Sequence, residues 1–167
     1  MDINKCETLL QQADRDIKDN YIEQAIKTLN EIITANPKFG KAYNHLGFIY
    51  ETKHQNYVEA EKNYKLALEN SPEYRAVYYN YAILLSTLGR YDDLGKLLEK
   101  ALKVPGINKA TIYNEYAIMF ETLEEYDKAI RHYQDSVRYS INNDAVNKAS
   151  DSIERCKRKK EILSNNY

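Results

Sequence analysis

Three histidines, two cysteines and a run of five cations are the residues of this 167-residue chain that could do chemistry. A histidine works as a general base only with a nucleophile or an orienting acid beside it. His45, His54 and His132 are scattered, and none has such a group at a convincing spacing, so no catalytic residue is assigned and no enzyme is expected. Cys6 and Cys156 lie near opposite ends of the chain. There is no CxxC, and no Cys/His spacing suits a metal, so neither a metal nor a cofactor is expected. Gly40, Gly47, Gly89, Gly95 and Gly106 are isolated, which excludes a glycine-rich phosphate loop. The run Arg155, Lys157, Arg158, Lys159 and Lys160 could hold nucleic acid or an acidic protein surface. It could equally be the solvated outer face of a helix, its cations near the C-terminus where the dipole favours them. Glu154 and Glu161 dilute the charge and no aromatic interleaves to stack bases, so the outer face is expected.

These residues need elements to hold them, and composition narrows the choice. Apolar residues make up 43% and charged residues 29%, enough for a packed core. The formal net charge is −1, so no global field draws nucleic acid or an anionic membrane, and neither is an expected partner. The start, Met1 to Lys5, lacks an apolar signal core, and no apolar run approaches a membrane span. With two unpaired cysteines this suggests a cytoplasmic chain. Five Gly and three Pro suit helices joined by short turns. The anomaly is 16 Tyr against three Phe and no Trp. Tyrosine packs its ring and keeps a hydroxyl for a partner, so it suits a sticky surface or a bulky slot repeated through the core.

A repeat is present. Tyr43, Tyr78 and Tyr113 recur at a step of 35 residues. So do Leu46, Tyr81 and Tyr116; Gly47, Ala82 and Ala117; and Tyr50, Leu85 and Phe120. A fixed period of this size marks a repeat protein, in which one small unit cannot bury its apolar face alone. Tyr43-x-x-Leu46-Gly47-x-x-Tyr50 is one face of a helix. Ala60-x-x-x-Tyr64-x-x-Ala67, ending before Pro72, is a second. A small residue where two helices cross lets their backbones approach, with a bulky ring filling the space alongside. Pro72 is expected in the opening turn of the next helix. Turn signals at Asp19–Tyr21, His54–Tyr57, Gly89–Tyr91 and Glu124–Tyr126 separate the two helices of each unit. The extra residue of the second unit is placed in the His54–Asn56 turn, that of the third in the Pro105-Gly106 linker.

This pattern resembles the tetratricopeptide repeat (TPR), W-x2-L-G-x2-Y then A-x3-F and a closing Pro. The second repeat carries Tyr43, Leu46, Gly47, Tyr50, Ala60, Tyr64, Ala67 and Pro72. The third carries Tyr78, Tyr81, Ala82, Leu85, Leu98 and Ala101, with Leu94 where Ala is usual. The fourth carries Tyr113, Tyr116, Ala117, Phe120, Ala129, Tyr133 and Ser136, without the Pro. The first is clear only in Ala25, Leu29, Ile32 and Pro37; Leu9, Leu10, Ala13 and Ile17 leave its opening helix without a fixed register. The resemblance implies an all-α, right-handed α-solenoid of antiparallel helix pairs in one domain. Its repeats run about 4–37, 38–72, 73–107 and 108–142, with a capping helix at about 143–163.

It also implies a protein–protein interaction module or adaptor, with a concave groove lined by the first helix of each repeat. Carried over by position, the groove residues are Lys41, Asn44, His45 and Phe48; Tyr79, Asn80 and Ile83; and Asn114, Glu115 and Ile118. An extended or helical segment of the partner would lie in the groove, and Asn44, Asn80 and Asn114 could hydrogen-bond the main chain of an extended one. Phe48, Ile83 and Ile118 would form an apolar ladder. The partner is another protein or peptide. The subfamily that clamps a chaperone's C-terminal carboxylate needs cations that are absent here; the matching positions give Asn44, Phe48, Asn80, Thr111 and Glu115, or Leu10, Asp14, His45, Ala76 and Asn80. A chaperone tail is therefore excluded. The alternatives are a structural subunit or self-associating scaffold, including a homo-oligomer, and a small chaperone for secreted proteins.

Overall fold

The computed structural model describes residues 2–164. Among them are nine helices and no strand: α1 (Ile3–Lys18), α2 (Ile22–Ala35), α3 (Gly40–Thr52), α4 (Tyr57–Asn70), α5 (Arg75–Thr87), α6 (Tyr91–Ala101), α7 (Lys109–Thr122), α8 (Tyr126–Tyr139) and α9 (Asn143–Ser164). None of the described helices is long and apolar enough to cross a membrane. The described residues form two compact units, one up to Leu88 with α1–α5 and one from Gly89 with α6–α9. The two helices of the third repeat, α5 and α6, thus fall in different units.

Capping residues open several helices. Asp2, Asn56 and Asn108 each accept from the backbone N–H three residues on, at 2.8, 3.2 and 3.2 Å. The four turns within repeats share one device. Asn20, Gln55, Gly89 and Glu124 all have positive φ, between 52° and 67°, and each directly precedes the residue that caps the next helix. The left-handed step lets the chain reverse in three residues after α1 and α7, and the connection from α5 to α6 is also three residues long. After α3 it takes four, so the extra residue does lie in the His54–Asn56 turn. Pro72 acts differently from expectation, and Pro37 acts in the same way as Pro72. Pro37 and Pro72 directly follow the C-caps Asn36 and Ser71, three residues before the next helix begins. They stop the preceding helix, since a proline cannot extend it, and do not open the following one. Helix α6 ends early, at Ala101, and Pro105-Gly106 sits in the long linker to α7.

In the first unit Leu29, Ile32, Ile49 and Cys6 are fully buried. Gly47 shows what the small-residue position is for. A Cβ built there would lie 2.6 Å from two ring carbons of Tyr64. The ring of α4 therefore rests directly on the backbone of α3. The register of α1 also becomes readable. Ala13 is fully buried and precedes Ala25 by twelve residues, the step that separates Ala82 from Leu94 and Ala117 from Ala129. Ala13 is thus the counterpart of Gly47, and Gln12 and Asp16 occupy slots filled by Leu46 and Tyr50 in the next repeat. Polar residues in two apolar slots hid the register. In the second unit Ala117, Ala129, Tyr133, Ala149 and Cys156 form a buried cluster, with Phe120, Ile130, Val137 and Ile153 packed against it.

The tyrosine ladder divides. Tyr78 is 5% exposed and donates to the Pro72 carbonyl at 2.8 Å. Tyr43 and Tyr113 are half-buried. Tyr113 stacks on Tyr139, with centroids 5.4 Å apart, and on His132 at 6.1 Å.

Candidate functional site

The groove residues of the first unit lie on α3 and α5. Much of their polar chemistry is already engaged. Lys41 Nζ contacts Glu7 Oε1 of α1 at 2.5 Å and lies 5.7 Å from the centroid of the Tyr74 ring. His45 places Nε2 2.8 Å from Asp14 Oδ1 and Nδ1 2.7 Å from the Lys41 carbonyl. Two oxygens thus face the two ring nitrogens, from α1 and from the preceding turn of α3. The bond from His45 is the main reason the Asp14 carboxyl is held below its usual range. Asn44 is 3% exposed, and its side-chain oxygen accepts from Asn80 Nδ2 at 3.1 Å. It therefore ties α3 to α5 and does not face a ligand as its spacing suggested. A carboxamide is small enough to be buried where its neighbour satisfies it, which composition alone does not reveal. Tyr79 and Asn80 on α5 are half-buried, as is Phe48 on α3. Ile83 stands out at 53% exposure.

In the second unit the corresponding positions lie on α7. Ile118 is 39% exposed. Asn114 lines an open cavity of about 520 Å³ together with Thr111, Tyr139, Asn142 and Lys148. Glu115 is half-buried, and burial pushes its carboxyl above its ordinary value.

Two participants, Glu7 and Asp14, were not among the groove candidates, Asp14 having entered only as a position matched and rejected for the carboxylate clamp. They answer Lys41 and His45 from α1, and burial together with these charges pushes the Tyr74 phenol up. Once Ala13 sets the register, Glu7 falls at the Lys41 position and Asp14 at the Phe48 position of the repeat. The twelve-residue step to Ala25 was the available signal. The remaining candidates have structural roles. His54 meets the Tyr50 ring edge-on at 5.6 Å. His132 stacks on Tyr116 and Phe120 at 5.0 and 5.3 Å, and burial pushes its imidazole below the usual value. Cys6 and Cys156 are free and buried. Four of the five cations of the expected outer face form ion pairs: Arg155 and Lys159 with Glu121, Lys160 with Asp127 and Lys157 with Glu154, while Arg158 is exposed. Three of these four contacts reach back to the segment from Glu121 to Asp127, so the run is a fastening and not merely a solvated surface.

No protein-family model matches the sequence, and no curated protein matches it. Solved structures do. The Pseudomonas aeruginosa pilF protein superposes with a TM-score of 0.81 at 16% identity, covering 94% of this chain and 69% of that one. PilW, a type IV pilus biogenesis factor, gives 0.76 at 19% identity, covering 92% and 69%. YrrB, a TPR protein with an unusual peptide-binding site, gives 0.71 at 17% identity, covering 92% and 76%. Identities this low speak for architecture alone. The period of 35, the paired helices and these superpositions agree on it: the chain has the tetratricopeptide-repeat fold, an all-α solenoid of antiparallel helix pairs.

Proposed function

We propose that the chain is a non-catalytic protein-interaction module that holds an extended or helical segment of a partner protein along α3 and α5. The face would comprise Lys41, His45, Phe48, Tyr79, Asn80 and Ile83, with Asn114, Glu115 and Ile118 of α7 forming a further contact face. The observation that carries this proposal is the exposure of Ile83 and Ile118, at 53% and 39%, on helices that otherwise bury most of their aliphatic side chains. An isoleucine left in solvent at the same position of two successive repeats suits contact with another chain. Asn80 and the partly exposed Lys41 would supply polar anchoring beside it. Asn44 supports the face from beneath by fixing Asn80. The superposition with YrrB, a protein with a peptide-binding site, is in keeping with this role. Glu115 speaks against a carboxylate-terminated tail as the ligand, because a second carboxylate would meet it without a cation. Two free, buried cysteines suit a reducing cytoplasm.

Panning a random peptide display library against the full chain tests the proposal. Enriched peptides should carry apolar residues and lose most of their binding to the Phe48→Ala/Ile83→Ala chain, whose helicity should stay that of the parent. Enriched peptides that bind the double variant as well as the parent would sink it.

A further inference from the structure

The second unit is closed by α9 with little apolar contact. Of its 22 residues only Ala149 and Cys156 are buried, and Ile153 packs partly beside them. Charge supplies the rest. Arg155 donates from Nε and Nη2 to the two oxygens of Glu121 at 2.8 and 2.7 Å. Lys159 Nζ reaches the same carboxylate at 2.8 Å, and Tyr133 Oη donates to it at 2.9 Å. Lys160 Nζ lies 2.6 Å from Asp127 Oδ1. Glu121 is 10% exposed and takes four hydrogen bonds at the rim of the trough formed by Ala117, Phe120, Ala129 and Val137. The trough reads a guanidinium, a second cation one helical turn later and a small apolar side chain next to the first.

We propose that this face of α7 and α8 is a docking surface for a basic amphipathic helix of a partner protein, and that α9 occupies it as a built-in competitor. Charge complementarity names the occupant: Glu121 and Asp127 ask for cations at the spacing of Arg155, Lys159 and Lys160. Weak apolar anchoring makes the competitor displaceable. Ala149 and Cys156 are small, so a helix with the same cations and larger apolar residues in those places gains burial that α9 lacks. The side chains of Arg155 and Lys159 are 49% and 45% exposed, so salt reaches and screens the fastening. This surface is separate from the face on α3 and α5, and neither proposal depends on the other.

Cys156 reports the state of α9. It is fully buried, and its thiol is pushed up to about 11, chiefly by burial, so a docked helix reacts slowly with a thiol reagent. The test uses the full chain with Cys6→Ala, leaving Cys156 as its single thiol, and the same chain with Arg155→Glu and Lys159→Glu. The probe is a labelled peptide of residues 143–164, alongside a version with Arg155→Gln and Lys159→Gln. Release of α9 should raise Cys156 labelling at least tenfold. The released chain should bind the basic peptide at least tenfold tighter than the parent does, and should ignore the neutral peptide. Equal binding by both chains, or equal binding of both peptides, would overturn the proposal. If the released chain fails to fold, the parent in rising sodium chloride decides: Cys156 labelling should accelerate with salt, and a flat rate would overturn it. A concentration-dependent doubling of mass through exchange of α9 would assign the surface to a second copy and overturn the partner.

Discussion

Two tyrosine–glutamate pairs occupy the same place in different repeats and behave in opposite ways. In the first unit Tyr64 donates to Glu51 at 2.5 Å, and in the second Tyr133 donates to Glu121 at 2.9 Å. The glutamates are 70 residues apart and end the first helix of their repeats; the tyrosines belong to the second helices. Around Glu51, desolvation dominates and the carboxyl is pushed up. Around Glu121, Arg155 and Lys159 dominate and the carboxyl is held far below its usual range. Helix α5 brings the Tyr81 ring within 5.8 Å of the Tyr64 ring, whereas α9 brings two cations. The repeat motif sets where a side chain stands, and the next helix in line sets which way its pKa moves.

A series of substitutions would break or sharpen this contrast. The largest effect should come from Gly47→Ala, since the added methyl meets the Tyr64 ring at 2.6 Å. We expect a loss of about 3 kcal/mol, at the upper end of overpacking costs. The second unit already carries Ala117 at this position, and Ala117→Gly should cost only about 1 kcal/mol. Urea unfolding of the two variants compares them directly, and equal losses would show that the two rings are seated alike.

Glu121→Gln comes next, with an expected loss of about 2 kcal/mol, because it strips charge-assisted hydrogen bonds from Arg155, Lys159 and Tyr133. The pH dependence follows with a definite sign. A carboxylate whose folded pKa is depressed contributes stability that is present above its ordinary value of 4.5 and lost as pH falls toward the folded value. The second unit should therefore weaken below about pH 4.5, and the Glu121→Gln chain should lose that sensitivity. Thermal melts across the acid range measure both.

A smaller gain is expected from the turns. Gln55 and Glu124 hold left-handed backbone without being glycine. Replacing either by Gly should raise stability by about 1 kcal/mol, read as a higher melting temperature. Asn20 should respond less, because asparagine tolerates that conformation. The smallest effect belongs to Glu51→Gln. Glu51 has a raised pKa, so its contribution is full below 4.5 and lost as pH rises through the folded value. At neutral pH the amide should leave stability unchanged or slightly higher, the reverse of Glu121→Gln. A loss matching that of Glu121→Gln would erase the distinction between the two pairs.

The helix pairs could be read from the sequence because bulky and small residues recur at one step, and Tyr43, Gly47, Ala60 and Tyr64 need only local periodicity to be recognised. The register of α1 was hidden because Gln12 and Asp16 stand in slots that elsewhere hold Leu46 and Tyr50. The exposure of Ile83 and Ile118 followed from position alone. The burial of Asn44 did not, because it depends on Asn80 standing opposite across a helix boundary. Glu121 was invisible for a similar reason. Its cations lie 34 and 38 residues away, and no local pattern relates a glutamate at the end of α7 to charges late in α9.

The left-handed residue before each second helix has an engineering consequence. It fixes the direction in which the chain leaves the turn, whatever length of loop precedes it. The turn after α3 is one residue longer than its three counterparts, yet Gln55 and the Asn56 cap close it in the same way. A peptide tag or a recognition loop inserted between Lys53 and Gln55 should thus leave α4 in place, making this turn a natural graft point on the molecule.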